Sequence, residues 1–160
     1  MLITLGEDQI NAINSLQKFL GSTDVAISLC GFAGTGKTLI TKILIDYLEV
    51  NKIPYVLCAP THVAKLVLEQ ATERQGVTLH KLLALTPNIE ILELDFRELQ
   101  FYVGNKSTLF PSRGVVICDE ASMINDDLFD LLVDKAIMFQ SKLIFSGDVK
   151  QLKPVNALTH

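Results

Sequence analysis

The stretch Gly31-Phe32-Ala33-Gly34-Thr35-Gly36-Lys37-Thr38 constrains this chain more than any other. It reads G-x-x-x-x-G-K-T, the pattern of a phosphate-binding loop. Before it, Val25-Ala26-Ile27-Ser28-Leu29-Cys30 is apolar, mostly β-compatible and short enough for a buried strand. After it, Leu39 to Leu48 sets Ile40, Ile43, Leu44 and Tyr47 at helical spacing. Glycines let the backbone wrap closely enough for its N–H groups to face phosphate oxygens, and the helix adds the positive end of its dipole. Gly31, Ala33, Gly34, Thr35 and Gly36 form this cradle, Lys37 is placed to bridge β- and γ-phosphates, and the Thr38 hydroxyl suits Mg²⁺. From average residue usage a chance match in a chain this long arises about one time in a hundred. With these flanks, the octet predicts a site for a nucleoside triphosphate.

At 160 residues the chain has the length of one ordinary domain. Such a chain buries roughly 70% of its unfolded surface, which allows a substantial core. No apolar run reaches the ~18 residues of a membrane span, and the first residues lack the basic start and cleavage site of a secretory signal. A cytoplasmic protein without a membrane partner is expected. Cys30, Cys58 and Cys118 lie singly in apolar strand-like runs, so reduced core thiols are expected rather than a disulfide framework or metal site. The net charge of −4 is the wrong sign for a broad nucleic-acid-binding surface, leaving room only for a local groove. Much of the acidic excess falls at Asp126, Asp127, Asp130 and Asp134, the solvated start and face of a predicted helix.

The remaining elements alternate in the way a parallel sheet requires. Residues 7–20 place Ile10, Ile13, Leu16, Phe19 and Leu20 on one helical face. Gln9 falls on its first turn, where an amide can pair with an adenine edge but is more often plain helix surface. Tyr55 to Ala59 is a second apolar strand, and strand–helix–strand order implies a crossover between parallel strands. A helix follows with Ala64, Val67, Leu68 and Ala71 as its stripe. Thr61 and His62 sit at the carboxyl end of that strand, where ligands bind, although Thr61 equally suits a helix cap. Residues 76–83 read as a turn and short helix, and His80 has no partner at metal-ligand spacing.

Residues 87–112 change character. Leu92 to Phe96 and Leu99 to Val103 both alternate apolar and polar, which suggests a small antiparallel hairpin inserted before the next core strand. A helix through Leu92, Phe96, Leu99 and Val103 is the competing period. Val115-Val116-Ile117-Cys118-Asp119-Glu120 is an apolar strand ending in two carboxylates. With the phosphate loop upstream, Asp119 is placed to hold the Mg²⁺ water shell, and Glu120 to orient or deprotonate an attacking water. A helix through Leu128, Leu131, Leu132 and Ala136 leads to a last strand at 142–145. Beyond it, Gln151 can reach a γ-phosphate oxygen, or belong to a polar loop punctuated by Pro154.

Taken together, Gln9, GFAGTGKT at 31–38, APTHVAK at 59–65, TLHKLL at 78–83, ICDEASM at 117–123 and GDVKQLKPV at 147–155 resemble the first motor domain of superfamily 1B DNA helicases of the RecD and Dda type. The resemblance implies a RecA-like P-loop NTPase domain over 1–160, with a parallel sheet flanked by helices and the strand at 142–145 lying between the strands of the phosphate loop and Asp119. It implies ATP and Mg²⁺ as ligands, Gln9 on adenine, and Lys37, Glu120 and Gln151 in hydrolysis. Thr61, His62, Thr78 and His80 would line a single-stranded DNA track. The 87–112 hairpin resembles the pin that separates a duplex in this group, with Phe96 or Phe101 as a stacking wedge worth roughly 1–3 kcal/mol per base.

The family's second motor domain and its arginines have no counterpart in the chain. An arginine finger contributes about 10³–10⁵ in rate in related NTPases. Weak nucleotide binding, little turnover and a fragment of a longer or split 5′→3′ helicase are therefore expected. A non-catalytic nucleotide- or DNA-binding module remains the alternative, and a small kinase a more distant one.

Overall fold

Val115-Val116-Ile117-Cys118 is buried at every position, as a strand covered on both faces must be. It is the fourth of five strands in a computed structural model that describes residues 4–29, 36–84 and 109–147. The elements run α1 (Glu7–Leu20), β1 (Ala26–Leu29), α2 (Gly36–Val50), β2 (Tyr55–Ala59), α3 (His62–Thr72), β3 (Val77–Thr78), α4 (Leu79–Leu82), β4 (Val115–Cys118), α5 (Asp126–Phe139) and β5 (Lys142–Ser146). A single 3-10 turn, Ala121–Met123, separates β4 from α5.

All four strand pairings are parallel, in the order β1-β5-β4-β2-β3. The expected position of the last strand holds: Ile144 pairs with Ile27 on one side and Ile117 on the other. Successive side chains of a strand point to opposite faces, and here they divide the core in two. Leu29, Leu57, Val115, Ile117 and Ile144 pack with Leu16, Phe19, Ile40, Leu44, Leu48 and Leu68 of α1, α2 and α3. Cys58, Val116, Cys118, Leu143 and Phe145 pack with Leu79, Leu82, Leu128, Leu131, Leu132 and Ala136 of α4 and α5. Each fully buried aliphatic side chain is worth roughly 1.5–3 kcal/mol relative to exposure.

The helical faces differ in detail from their sequence periods. α5 buries Leu128, Leu131, Leu132 and Ala136 as predicted and leaves its four aspartates exposed, with Asn125 capping Leu128 N–H at 2.8 Å. In α2 the buried set is Ile40, Thr41, Leu44, Ile45 and Leu48, while Tyr47 faces outward. The stripe is rotated because α2 packs on the sheet while also contacting α1 and α3. Ile10, expected on the buried face of α1, is 46% exposed. Val67 of α3 is likewise exposed, at 58%. The two-residue strand β3 was not anticipated; it extends the sheet by pairing Val77 with Cys58 and Thr78 with Ala59.

Two junctions lock the sheet ends opposite the site. Lys142 donates to the carbonyls of Ser22 at 2.8 Å and Asp24 at 2.6 Å, with its ammonium 4.7 Å from the Phe19 ring centroid. Burial lowers its pKa, opposed by nearby Asp24. Gly114 donates to Ser141 Oγ at 3.1 Å, and Val115 N–H reaches Pro54 O at 2.9 Å. A Cβ on Gly114 would overlap the Pro54 carbonyl, so only glycine fits. The expected hairpin strands at 92–103 lie outside the described residues. Phe110 is buried, and its ring stacks on Phe139 at 5.6 Å.

Candidate nucleotide site

In a parallel sheet every strand delivers its carboxyl end to the same edge, which is where open α/β folds bind ligands. β1 leads towards the phosphate loop, β4 ends at Asp119 and Glu120, β2 at Pro60 and Thr61, and β5 at Ser146 and Gly147. Helix α2 starts at Gly36, so Lys37 and Thr38 occupy its first turn. Gly31, Ala33, Gly34 and Thr35 lie outside the described residues, as do Cys30 and Gln151.

Lys37, Thr38 and Asp119, far apart in sequence, line one cavity of about 60 Å³. Thr41, Val67, Leu68, Ala71, Thr72, Ile117 and Ser146 complete its wall. Lys37 Nζ donates to Gly147 O at 3.1 Å, and Thr41 Oγ1 donates back to Lys37 O at 2.8 Å. The lysine is thus anchored at both its backbone and its tip. Asp119 is half-buried and its N–H donates to Cys58 O at 3.0 Å, continuing the β4–β2 ladder by one residue. A threonine hydroxyl and a carboxylate are hard oxygen donors, and a magnesium ion that keeps several waters needs no more from the protein. The donor set therefore fits Mg²⁺. Among the described residues no cluster of three or more His, Cys, Asp or Glu offers another metal site.

Glu120 is exposed and adopts left-handed backbone, φ 52° and ψ 40°. Such a conformation is uncommon for a residue other than glycine and must be held by its surroundings. The 3-10 turn supplies part of that support through Met123 N–H on Glu120 O at 3.1 Å. Behind this edge, Cys58 and Cys118 sit side by side in register, both free and buried. Hydrogen bonding with Cys58, then burial, pushes the Cys118 thiol well above its ordinary pKa, so it behaves as a core residue.

Thr61 and His62 follow the carboxyl end of β2, and Thr78 and His80 lie at the end of β3 and in α4. Thr61 caps α3 by accepting Ala64 N–H at 3.1 Å, and His62 is the exposed first residue of that helix. Thr78 caps α4 by accepting Lys81 N–H at 3.3 Å, and His80, the second residue of that helix, is half-buried. Gln9 accepts the Gly6 N–H through Oε1 at 2.9 Å, which fixes its amide at the start of α1. Phe96 and Phe101 lie outside the described residues. Sequence reasoning placed Val67 on a helical stripe and Gly147 at the head of the 147–155 motif but gave neither a role at the site, where Val67 lines the cavity and Gly147 accepts Lys37.

A family model described as an AAA domain matches residues 4–159. The chain is 32% identical to the protein named ATP-dependent DNA helicase dda of Enterobacteria phage T4, over 94% of this chain and 33% of that protein. It is 31% identical to ATP-dependent RecD2 DNA helicase of Deinococcus radiodurans, over 96% of this chain and 19% of the relative. With ATP-dependent DNA helicase Pif1 of a Psychrobacter species it shares 30% identity, over 82% of this chain and 20% of the relative. The chain thus spans a third or less of each of these proteins. No described helix is long and apolar enough to cross a membrane. With a parallel sheet of RecA-like order, this match along nearly its whole length and these relatives, the chain belongs to the AAA-domain family that includes the Dda, RecD2 and Pif1 helicases of superfamily 1B.

Proposed function

We propose that this chain is the ATP-binding and hydrolysing motor domain of a cytoplasmic 5′→3′ DNA helicase that translocates on single-stranded DNA. The observation that carries this reading is the convergence of Lys37, Thr38 and Asp119 on one cavity, in a chain whose relatives are named as ATP-dependent DNA helicases. Lys37 holds the β- and γ-phosphates, with its ammonium orientation set by Gly147 O. Thr38 and Asp119 hold Mg²⁺, which when bound neutralises charge on the β,γ-phosphate oxygens. Glu120 orients the attacking water and accepts its proton. Gln151 contacts the γ-phosphate, and Gln9 reads adenine with its amide already fixed by Gly6. Thr61, His62, Thr78 and His80 face the DNA, and Phe96 or Phe101 in the 87–112 pin stacks on a base at the fork.

A second RecA-like motor domain, in cis or as a separate chain, supplies the arginines that complete the site. Without it, ATP binding is weak and hydrolysis slow, at a cost of about 10³–10⁵ in rate. The test is ATP turnover with and without a single-stranded oligonucleotide, beside a Lys37→Ala variant. Slow hydrolysis abolished by Lys37→Ala supports the reading. Nucleotide binding without any hydrolysis points instead to a regulatory module, and phosphoryl transfer to a small molecule excludes a helicase motor.

A further inference from the structure

Gly147 touches both halves of the candidate machinery. Its carbonyl accepts Lys37 Nζ at 3.1 Å. Its Cα lies against the turn that follows Glu120, where an added Cβ would stand 3.2 Å from Ala121 N and 3.3 Å from Ser122 N. Contacts that tight are relieved only if the neighbours move by a few tenths of an ångström, and these neighbours are backbone atoms of a short 3-10 turn. That turn holds Glu120 in its left-handed conformation. Ala121 is buried, so the turn has little room to retreat.

Resting on the hydrolytic reading of this site, we propose that Gly147 is a positioning residue. Its missing side chain sets the spacing between the Lys37 ammonium and the Glu120 carboxylate. An ammonium has three donors, so one N–H can stay on Gly147 O while the others take phosphate oxygens. Lys37 thereby keeps a fixed orientation relative to β5. The same residue, immediately after β5, abuts the Glu120 turn, so phosphate and water positions share one reference point. Because the effect acts on the water-orienting side, a Cβ at 147 slows hydrolysis more than it weakens ATP binding.

The experiment compares Gly147→Ala with the unaltered 160-residue chain in single-turnover hydrolysis of radiolabelled ATP. Affinity for a fluorescent ATP analogue and the thermal midpoint are measured alongside. Misplacement by ~1 Å can cost about 10²-fold, so a shift of a few tenths is expected to slow hydrolysis about tenfold. Affinity is expected to stay within about threefold, the pattern of an interaction lost only in the transition state. An unchanged rate overturns the proposal, and so does a fall in affinity as large as the fall in rate. If Gly147→Ala does not fold, Ala121→Gly loosens the same turn from its other side and must show the same split. Failure of that split overturns the proposal equally. An unaltered chain that does not hydrolyse ATP sinks the hydrolytic reading and this role with it. One that hydrolyses beside an unaffected Gly147→Ala variant sinks this role alone.

Discussion

Arg74 grips the Glu49 carboxylate in a two-point fork, Nε on Oε1 at 2.8 Å and Nη2 on Oε2 at 3.3 Å. Tyr55 OH donates to the same Oε1 at 2.6 Å, and Asp46 lies 3.9 Å from the guanidinium. Three elements meet there: the end of α2, the first residue of β2 and the loop after α3. The fork fixes how α2, which carries Lys37 at its other end, sits beside α3.

The pH dependence follows from the shifts. The Arg74 hydrogen bonds, then that of Tyr55, lower the Glu49 pKa from 4.5 to about 2. A depressed folded-state pKa stabilises the protein above the unfolded value, and the benefit is lost as pH falls from 4.5 through about 2. Tyr55 shifts upward, by burial first and then by its bond to Glu49, so its contribution holds below pH 10 and is lost as pH rises from there through its raised value. Arg74→Ala is expected to flatten the acid limb of a plot of thermal midpoint against pH while leaving the slope between pH 6 and 8 unchanged. An acid limb that keeps its slope contradicts the assignment.

Gly114 makes a sharper structural prediction. Any Cβ there meets the Pro54 carbonyl and then Pro111 Cβ at 2.8 Å. Pro54 is also the acceptor for Val115 N–H, so yielding would strain the β4–β2 ladder at its start. Gly114→Ala should destabilise the domain by about 1–3 kcal/mol, the usual cost of overpacking. Chemical denaturation reads this directly, and a loss below about 0.5 kcal/mol would show that the junction relaxes freely.

The sequence carried the order of elements and the parallel sheet, because buried strands and amphipathic helices leave local periods, whereas the place of the 142–145 strand came only from the family resemblance. Lys37, Thr38 and Asp119 were legible because phosphate and magnesium chemistry restricts residue type at fixed spacing. What was not legible depends on tertiary packing. The rotation of the α2 stripe away from Tyr47 reflects neighbouring helices that no window of α2 contains. β3 is too short to show a period, and it exists only because Cys58 and Ala59 offer it a ladder. The left-handed Glu120 carries no compositional mark, since glycine is the usual signal for such a backbone. The Gly147 contacts join the first turn of α2, the turn after β4 and the residue after β5.

Thr61 has two roles that separate experimentally. As an N-cap its hydroxyl accepts Ala64 N–H, so Thr61→Ala should cost about 1 kcal/mol and Thr61→Ser should recover most of it. Asn125→Ala removes the corresponding cap of α5 and serves as a stability-matched control. If Thr61 lines the DNA track, Thr61→Ala weakens binding to a fluorescent single-stranded oligonucleotide while Asn125→Ala does not. Equal effects of the two variants would confine Thr61 to capping.

Asp119 and Glu120 are adjacent in sequence but differ in setting, and that difference predicts opposite phenotypes. Asp119 is half-buried, continues the β4 ladder and lines the cavity with Lys37 and Thr38. Asp119→Asn keeps the shape but removes the charge a magnesium ion requires, so nucleotide affinity should lose its dependence on added Mg²⁺. Glu120 is exposed on a left-handed turn beyond the ladder and is not among the cavity's lining residues. Glu120→Gln should therefore leave Mg²⁺-dependent binding close to normal while hydrolysis falls by about 10²–10⁴, the usual contribution of a positioned general base. Titrating a fluorescent ATP analogue with and without Mg²⁺, beside single-turnover hydrolysis, measures both. Loss of Mg²⁺-dependent binding in Glu120→Gln would move Glu120 from the water to the metal, and retention of it in Asp119→Asn would remove Asp119 from the magnesium site.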